Sequence, residues 1–319
     1  MHSKGMVINI MILDITKRKE AIKNKTVVSM GIFDGIHRGH QAVINTACRF
    51  KEQGLDFVLF TFKTNTVTTK GRYGYIEMLL SDDLKKEHFE KMGVNLLYSP
   101  EFSEMKNMTS SQFVEQVLYE KLNASVVVCG EDFRFGKGAE GDAGKLKTLC
   151  EKFHIRTVIV RQAKYEDKKI SSSEIRECIR QGEIKRANEM LGYNYYYKLP
   201  VLHGNKIGRR LDFPTINQEI SKEHILPKFG VYITRTKVDK KWRYSISNIG
   251  IKPTVEVRSV PLIETNILDF DGDIYGQVVK VELLDFLRPE QKFESIDELK
   301  KQVQSDINKT REFFKTRRI

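Results

Sequence analysis

Apolar and polar positions fall into two textures along the chain. In the first half, short apolar runs alternate with segments of helical spacing. Thr26–Met30 predicts a buried strand and Gly31–Gly39 a glycine-rich turn. His40–Gln53 follows with Val43, Ala47 and Phe50 on one helical face. Phe57–Phe62 predicts a second strand, Ser81–Met92 a helix stopped at Gly93, and Leu96–Tyr98 a short strand. Ser110–Lys121 predicts a helix capped by Thr109 or Ser110. Ser125–Gly130 and Thr157–Arg161 predict strands on either side of a helix at Gly144–Phe153. Two short helices, Ser172–Gln181 and Ile184–Leu191, are split by Gly182. Strands separated by helices at this spacing predict a parallel sheet of Rossmann type.

The texture changes after Gly192. Tyr193–Lys198 has no helical period. Beyond it, alternating segments at Gly230–Lys237, Trp242–Gly250, Ile263–Phe270 and Gln277–Phe286 predict a β-barrel or sandwich, with Asp271-Gly272 as a hairpin turn. A closing helix, Ile296–Phe314, carries Leu299, Val303, Ile307 and Phe314 on one face. The fold class is therefore α/β plus β, divided into residues 1–190 and 191–319.

Composition narrows the function classes. A chain of 319 residues with 40% hydrophobic and 30% charged side chains is ordinary globular material, which excludes a mostly disordered chain. No apolar run approaches the ~20 residues that span a bilayer, so no membrane role is expected. The N-terminus lacks a secretory h-region, and the cysteines (Cys48, Cys129, Cys150, Cys178) form no metal-knuckle pair. A cytoplasmic protein is expected, and homo-oligomerisation is compatible with the sequence. The net charge of +12 fits either nucleic acid or polyanionic small molecules. The basic residues are scattered, and no helix-turn-helix or RNP string occurs, so nucleic acid is not expected as a partner.

The sharpest chemical signal is Gly31-Ile32-Phe33-Asp34-Gly35-Ile36-His37-Arg38-Gly39-His40, between a predicted strand and a predicted helix. Free backbone N–H groups and the positive helix end make that position a phosphate site. Two imidazoles three residues apart can both face it and stabilise charge on a transferring α-phosphorus. The plainer alternative is a pair of histidines that cap the helix. Gly130-Glu131-Asp132-Phe133-Arg134-Phe135-Gly136 follows another strand, and its aromatics with an acid and an arginine suit a flat, partly polar ring. In Ile170-Ser171-Ser172-Ser173-Glu174-Ile175-Arg176, hydroxyls at a helix start with Arg176 one turn on form a second phosphate clamp, though a plain helix cap looks the same.

In the second half, Gly204-Asn205-Lys206-Ile207-Gly208 precedes Phe213-Pro214-Thr215-Ile216-Asn217. The glycine stretch can lie over phosphates, and Thr215 and Asn217 offer neutral oxygens to a hard cation. Glu264 sits on a predicted strand among apolar neighbours, where a carboxylate needs partners or a task. It can take the proton of an alcohol attacking a γ-phosphate, or simply face solvent.

Together these strings resemble the prokaryotic bifunctional riboflavin kinase/FAD synthetase family, from about Val27 to Phe314 and in the family's order. The resemblance implies an N-terminal Rossmann-like nucleotidyltransferase domain that adenylates FMN to FAD. It also implies a C-terminal six-stranded antiparallel β-barrel with a terminal helix that phosphorylates riboflavin to FMN. ATP, riboflavin and FMN are the implied substrates and Mg²⁺ the implied cofactor. The implied catalytic residues are Glu264, as base, with His37 and His40. Gly31, Phe33, Gly39, Ser172, Arg176, Gly204 and Gly208 would serve ATP and its phosphates. Asp132, Phe133 and Phe135 would serve the flavin, and Thr215 and Asn217 the metal. One departure stands out: the prolines usual after the second strand are replaced at Thr64-Asn65-Thr66. If only one activity is retained, this makes FAD synthesis the one lost. A nucleic-acid-binding or flavin-sensing protein on the same scaffold is a further alternative.

Overall fold

The computed structural model describes residues 12–63, 77–203, 213–252 and 260–316. The departure at Thr64–Thr66 and the glycines Gly204 and Gly208 lie outside these residues. The chain divides into two compact units, Met1–Ser172 and Ser173–Ile319.

The strands of the first unit are β1 (Leu13–Asp14), β2 (Thr26–Met30), β3 (Asp56–Phe60), β4 (Leu96–Tyr98), β5 (Ala124–Gly130), a ribbon of β6 (Arg134–Phe135) and β7 (Gly141–Asp142), β8 (Arg156–Val160), and a hairpin of β9 (Lys164–Tyr165) and β10 (Lys168–Lys169). Six of them form one parallel sheet in the order β1-β4-β3-β2-β5-β8. All of β2 is buried, including Thr26 and Ser29, so it shows no in-out alternation. The connections run outward from β2 to β3 and β4, then return to β5 on its other side. The order therefore reverses between β2 and β5, and ligands of open parallel sheets bind at the strand ends beside such a reversal. The histidine string follows β2, and the Asp132 string follows β5.

The helices of this unit are α1 (Arg38–Lys51), α2 (Asp82–Lys91), α3 (Phe102–Met105), α4 (Ser110–Gln112) and α5 (Ala143–Glu151). Thr109 is the cap of α4, in a reciprocal pair with Gln112. The expected helix then continues over Phe113–Lys121 with π winding. Phe113, Val114, Val117 and Leu118 are buried there, and the wider turn keeps this i, i+1, i+4, i+5 set on one face.

The second unit contains α6 (Ser172–Gln181, whose first residue ends the first unit), α7 (Ile184–Leu191), β11 (Tyr196–Pro200), β12 (Ile216–Glu219), β13 (Gly230–Val238), β14 (Lys241–Lys252), β15 (Val260–Ile267), β16 (Val278–Pro289) and α8 (Ile296–Thr316). Its six strands are antiparallel in the order β11-β16-β13-β14-β15-β12. A bridge between Leu202 and Asn217 brings the two edges together, so the sheet is a nearly closed barrel. Thr234, Thr236, Ser245, Ser247 and Thr265 are fully buried, and their hydroxyls form a chain of hydrogen bonds 2.7–2.9 Å long. A buried polar set is tolerated when each member has a partner.

Asp271-Gly272 is not a hairpin turn. β15 pairs with β12 and β14, and β16 with β11 and β13, so the segment between them crosses over to another part of the barrel. Ile274 is buried in this crossover, with Phe270 and Tyr275 packed against the same cluster. Those apolar anchors prevail over the local turn signal.

On α8, Ile307 and Phe314 are buried as the spacing requires. Next to Ile307 on the helix, Asp306 is 1% exposed and accepts from Arg288 Nε at 2.8 Å and Gln302 Nε2 at 2.9 Å. Removing one member leaves a buried charge without its partner. Asp306→Ala is expected to lower the stability of the second unit by ~3–5 kcal/mol, measured by chemical denaturation. A loss near zero would show that the pair is solvated.

Candidate active sites

The histidine turn is built on an unusual backbone. Phe33 (φ 53°) and Ile36 (φ 39°) adopt left-handed conformations, sparsely populated for side chains of this kind. Burial holds both: Phe33 is 1% exposed and Ile36 fully buried. Thr61 at the end of β3 donates its hydroxyl to the Ile32 carbonyl at 3.0 Å, and Asp34 Oδ1 accepts from Leu79 N–H at 3.1 Å. Ser172 Oγ donates to the Asp34 carbonyl at 2.9 Å. The serine string and the histidine turn are thus joined at Ser172, while Arg176 lies one turn further along α6.

His37 is the residue before α1, and its Nδ1 accepts from the His40 backbone N–H at 3.4 Å. The imidazoles of His37 and His40 stack, with centroids 3.7 Å apart and planes 17° from parallel. A Cβ at Gly39 would lie 3.1 Å from the His37 ring, and one at Gly31 3.0 Å from the Phe33 ring. Those glycines leave room for the rings. Phe33 sits edge-on to His40 at 5.3 Å and shapes the loop from below.

Burial pushes the His37 imidazole down to about 4, against a smaller upward pull from Asp132. His40 is held well below its ordinary value, first by burial, then by His37 and Lys85. Both rings are therefore neutral near pH 7 and offer N–H donors without net charge. The unfolded chain takes up the His37 proton near the ordinary 6.5, the folded chain only near 4. Across that window the unfolded state binds more protons, so lowering the pH favours unfolding. From pH 7 to 4 the first unit is expected to lose on the order of 3 kcal/mol through His37. His37→Asn, which keeps a cap acceptor, should remove that slope in denaturation curves; an unchanged slope would place it on other groups.

Asp132 is exposed, and its Oδ2 lies 2.5 Å from Lys169 Nζ on β10. Phe133 stacks on Phe135 at 5.7 Å. Phe135 is 6% exposed and belongs to the hydrophobic core, where it also meets Phe113. The string thus presents Asp132 and Phe133, with Phe135 as their support. Lys169 precedes the serine string, and nothing along the chain signalled its ion pair with Asp132. Lys85 gave no signal, because in Asp82-Asp83-Leu84-Lys85-Lys86 it reads as an ordinary surface lysine.

In the barrel, Glu264 on β15 lies in register between Asn217 on β12 and Asn248 on β14. Directly paired residues share a face, so the three polar side chains project together. Glu264 is half-buried and Asn217 is 9% exposed. Asn248 Nδ2 donates to Glu290 Oε1 at 3.3 Å. Asn248 had no assigned role in the sequence, since cross-strand register is invisible there. Thr215 lines an open cleft with Ile216, Thr265, Ile267, Phe270 and Tyr275. Among the described residues no helix is long and apolar enough to cross a membrane.

The FAD synthetase family model matches residues 19–174 and the riboflavin kinase family model residues 191–314. The bifunctional riboflavin kinase/FMN adenylyltransferase of Bacillus subtilis is 34% identical over 297 residues, 91% of this chain and 93% of that protein. The protein of the same description from Escherichia coli K12 is 28% identical over 311 residues, 95% and 97% of the two chains. A crystal structure described as a macrolide-efflux protein of Streptococcus pneumoniae is 30% identical with a TM-score of 0.84, covering 95% of this chain and 99% of that one. One match lies over the histidine turn, the other over the Glu264 barrel, and curated relatives run through both, so this chain belongs to the bifunctional riboflavin kinase/FMN adenylyltransferase family and serves flavin cofactor biosynthesis.

Proposed function

We propose that the two activities divide between the two polar constellations, and that the neutral histidine pair at the β2/β5 reversal carries the adenylyl transfer. In that step an FMN phosphate oxygen attacks the α-phosphorus of ATP and pyrophosphate leaves. His37 and His40 donate N–H groups to the phosphate oxygens, and the start of α1 adds its dipole. Gly31, Phe33 and Gly39 shape the turn, and Ser172, bonded to the turn, adds a hydroxyl to the polyphosphate. Asp132 and Phe133 hold the flavin, with Phe135 behind them. The observation that carries this reading is the stacking of two neutral imidazoles at a helix start beside the sheet's reversal point.

In the kinase step Glu264 accepts the proton of the terminal ribityl hydroxyl as its oxygen attacks the γ-phosphorus of ATP, and ADP leaves. Mg²⁺ fits this face. Thr215 on the cleft wall and Asn217 beside Glu264 are hard oxygen donors, and the ion needs few protein ligands. Bound there, it would neutralise charge on the transferring phosphate. The functional division is placed at residues 1–190 and 191–319. The protein is assigned to the cytoplasm, with small molecules and no nucleic acid as partners.

The test is a product assay with ATP, with and without Mg²⁺, starting from riboflavin or from FMN. FMN and FAD from riboflavin, both dependent on the metal, are expected. FMN that accumulates without FAD would withdraw the assignment of the histidine site. FAD from FMN, with nothing from riboflavin, would withdraw that of Glu264.

A further inference from the structure

The segment that carries the metal donors leaves the barrel sheet at its most important residue. β12 pairs with β15 through Asn217↔Glu264 and Ile216↔Thr265, and the strand begins at Ile216. Pro214 has no N–H with which to extend the ladder. Thr215 therefore lies just outside the paired strand, between a proline and the first ladder residue. One step further along β15, Asn266 takes over from the backbone: its Nδ2 donates to the Pro214 carbonyl at 2.7 Å. Only the NH₂ end of a carboxamide can meet a carbonyl. Asn266 is 9% exposed, so little water competes for the bond. Just before it, Phe213 packs against the cluster that holds Leu268 of the same chain segment and Ile307 of α8.

Every second side chain of a strand shares a face, so Glu264 and Asn266 stand on the same side of β15. The strand that carries the proposed base thus holds the Thr215 segment at two points. Asn217 lies in register opposite Glu264, and the Pro214 carbonyl is bonded to Asn266. Thr215 is fixed between them, on the wall of the cleft. A carboxamide suits this position, because it supplies a donor without adding a charge beside Glu264 or the phosphates.

We propose that Asn266 is a positioning residue for riboflavin phosphorylation: by holding the Pro214 carbonyl, it keeps the metal donors Thr215 and Asn217 in fixed relation to Glu264. Without that bond the Thr215 limb is free to leave the strand, and binding the ion must then include the cost of ordering it. The pairing of Glu264 with Asn217 and Asn248 remains. The effect therefore falls on the metal and not on the base. This deepens the kinase reading and rests on the assignment of Mg²⁺ to Thr215 and Asn217.

The test uses the full-length protein and three variants. Asn266→Leu keeps the shape of the side chain and removes the donor. Asn266→Gln stays polar but is one methylene too long. Asn266→His returns a ring N–H to about the same place. Two quantities are read. One is the Mg²⁺ dependence of FMN formation from riboflavin. The other is the Mg²⁺ dependence of riboflavin binding in the presence of ADP, followed by flavin fluorescence, which needs no turnover. In Asn266→Leu and Asn266→Gln the half-saturating Mg²⁺ concentration is expected to rise ~10–100-fold in both measurements. At saturating Mg²⁺, kcat should change little and the acid limb of its pH profile should stay in place. Asn266→His should restore the wild-type metal dependence. FMN adenylylation should be unaffected, since His37 and His40 belong to the other unit.

An anchor of the strand end and nothing more would lower stability without moving the Mg²⁺ dependence of binding. An unchanged half-saturating Mg²⁺ concentration in Asn266→Gln overturns the proposal, whether or not Asn266→Leu folds. So does a fall in kcat at saturating metal with the Mg²⁺ dependence intact. Thr215→Val separates this inference from the reading beneath it. If Thr215→Val weakens the response to Mg²⁺ and Asn266→Gln does not, only the role of Asn266 is lost. If Thr215→Val leaves the response unchanged, the metal assignment itself is overturned, and the proposal with it.

Discussion

Glu264→Gln is expected to lower riboflavin phosphorylation by ~10²–10⁴-fold while leaving FMN adenylylation unchanged. The substitution keeps the volume and most of the hydrogen-bonding shape of the side chain, so Asn217 and Asn248 retain a polar neighbour on the shared face. What disappears is an anionic oxygen able to accept a proton. If the carboxylate acts as base, the loss falls on kcat, and KM for riboflavin and for ATP changes little. A loss of binding instead would raise KM at constant kcat. The adenylyl-transfer rate of the same preparation serves as the control, because His37 and His40 belong to a different unit. The measurement is initial-rate FMN formation with FMN-to-FAD conversion assayed in parallel. A Glu264→Gln protein with full kcat would remove Glu264 from the chemistry and turn attention to the cleft lined by Thr215.

What the sequence made legible is whatever depends on neighbours along the chain. The buried run Thr26–Met30, the turn after it and the helix containing Val43 and Ala47 follow from local spacing and turn chemistry. So do Thr109 as a cap and the buried face of α8. The histidine motif was legible as a string of types, because a glycine-rich strand-to-helix turn is a local device. The rest depends on partners far away in sequence. β12 was read as part of a metal motif and not as a strand, since its four residues become one only by pairing with β15. Asp271-Gly272 carried a local turn signal, but the apolar anchors on either side place it in a crossover. The π winding of Phe113–Lys121 answers to what the core needs, and no capping signal announces it. Phe135 and Phe133 look equivalent as letters, yet the structure buries the first and leaves the second half-exposed. Lys85 is the plainest case, a surface residue by pattern and a buried cation by packing.

The histidine pair makes the second large expected effect. His37 has two separable tasks: its Nδ1 caps α1, and its ring stacks on His40 in the site. His37→Asn separates them. Asparagine is a strong cap, so α1 keeps an acceptor for its free N–H groups, but the imidazole donor is gone. His37→Asn is therefore expected to keep near-native stability at pH 7 and to lose ~10²–10³-fold in kcat for FMN adenylylation, the usual cost of one donor to a developing oxyanion. His40→Gln should lose a similar factor, and the double variant far less than the product of the two. If the rings, stacked 3.7 Å apart, serve the same phosphate, they act as a unit and removing either member already spoils it. Riboflavin phosphorylation should be unaffected in all three. The rates are read from FAD and pyrophosphate formation with FMN and ATP as substrates. If His37→Asn retained the full rate, the imidazole would be a helix cap and nothing more, and the transferring phosphate would have to be held by the backbone of the turn and Ser172.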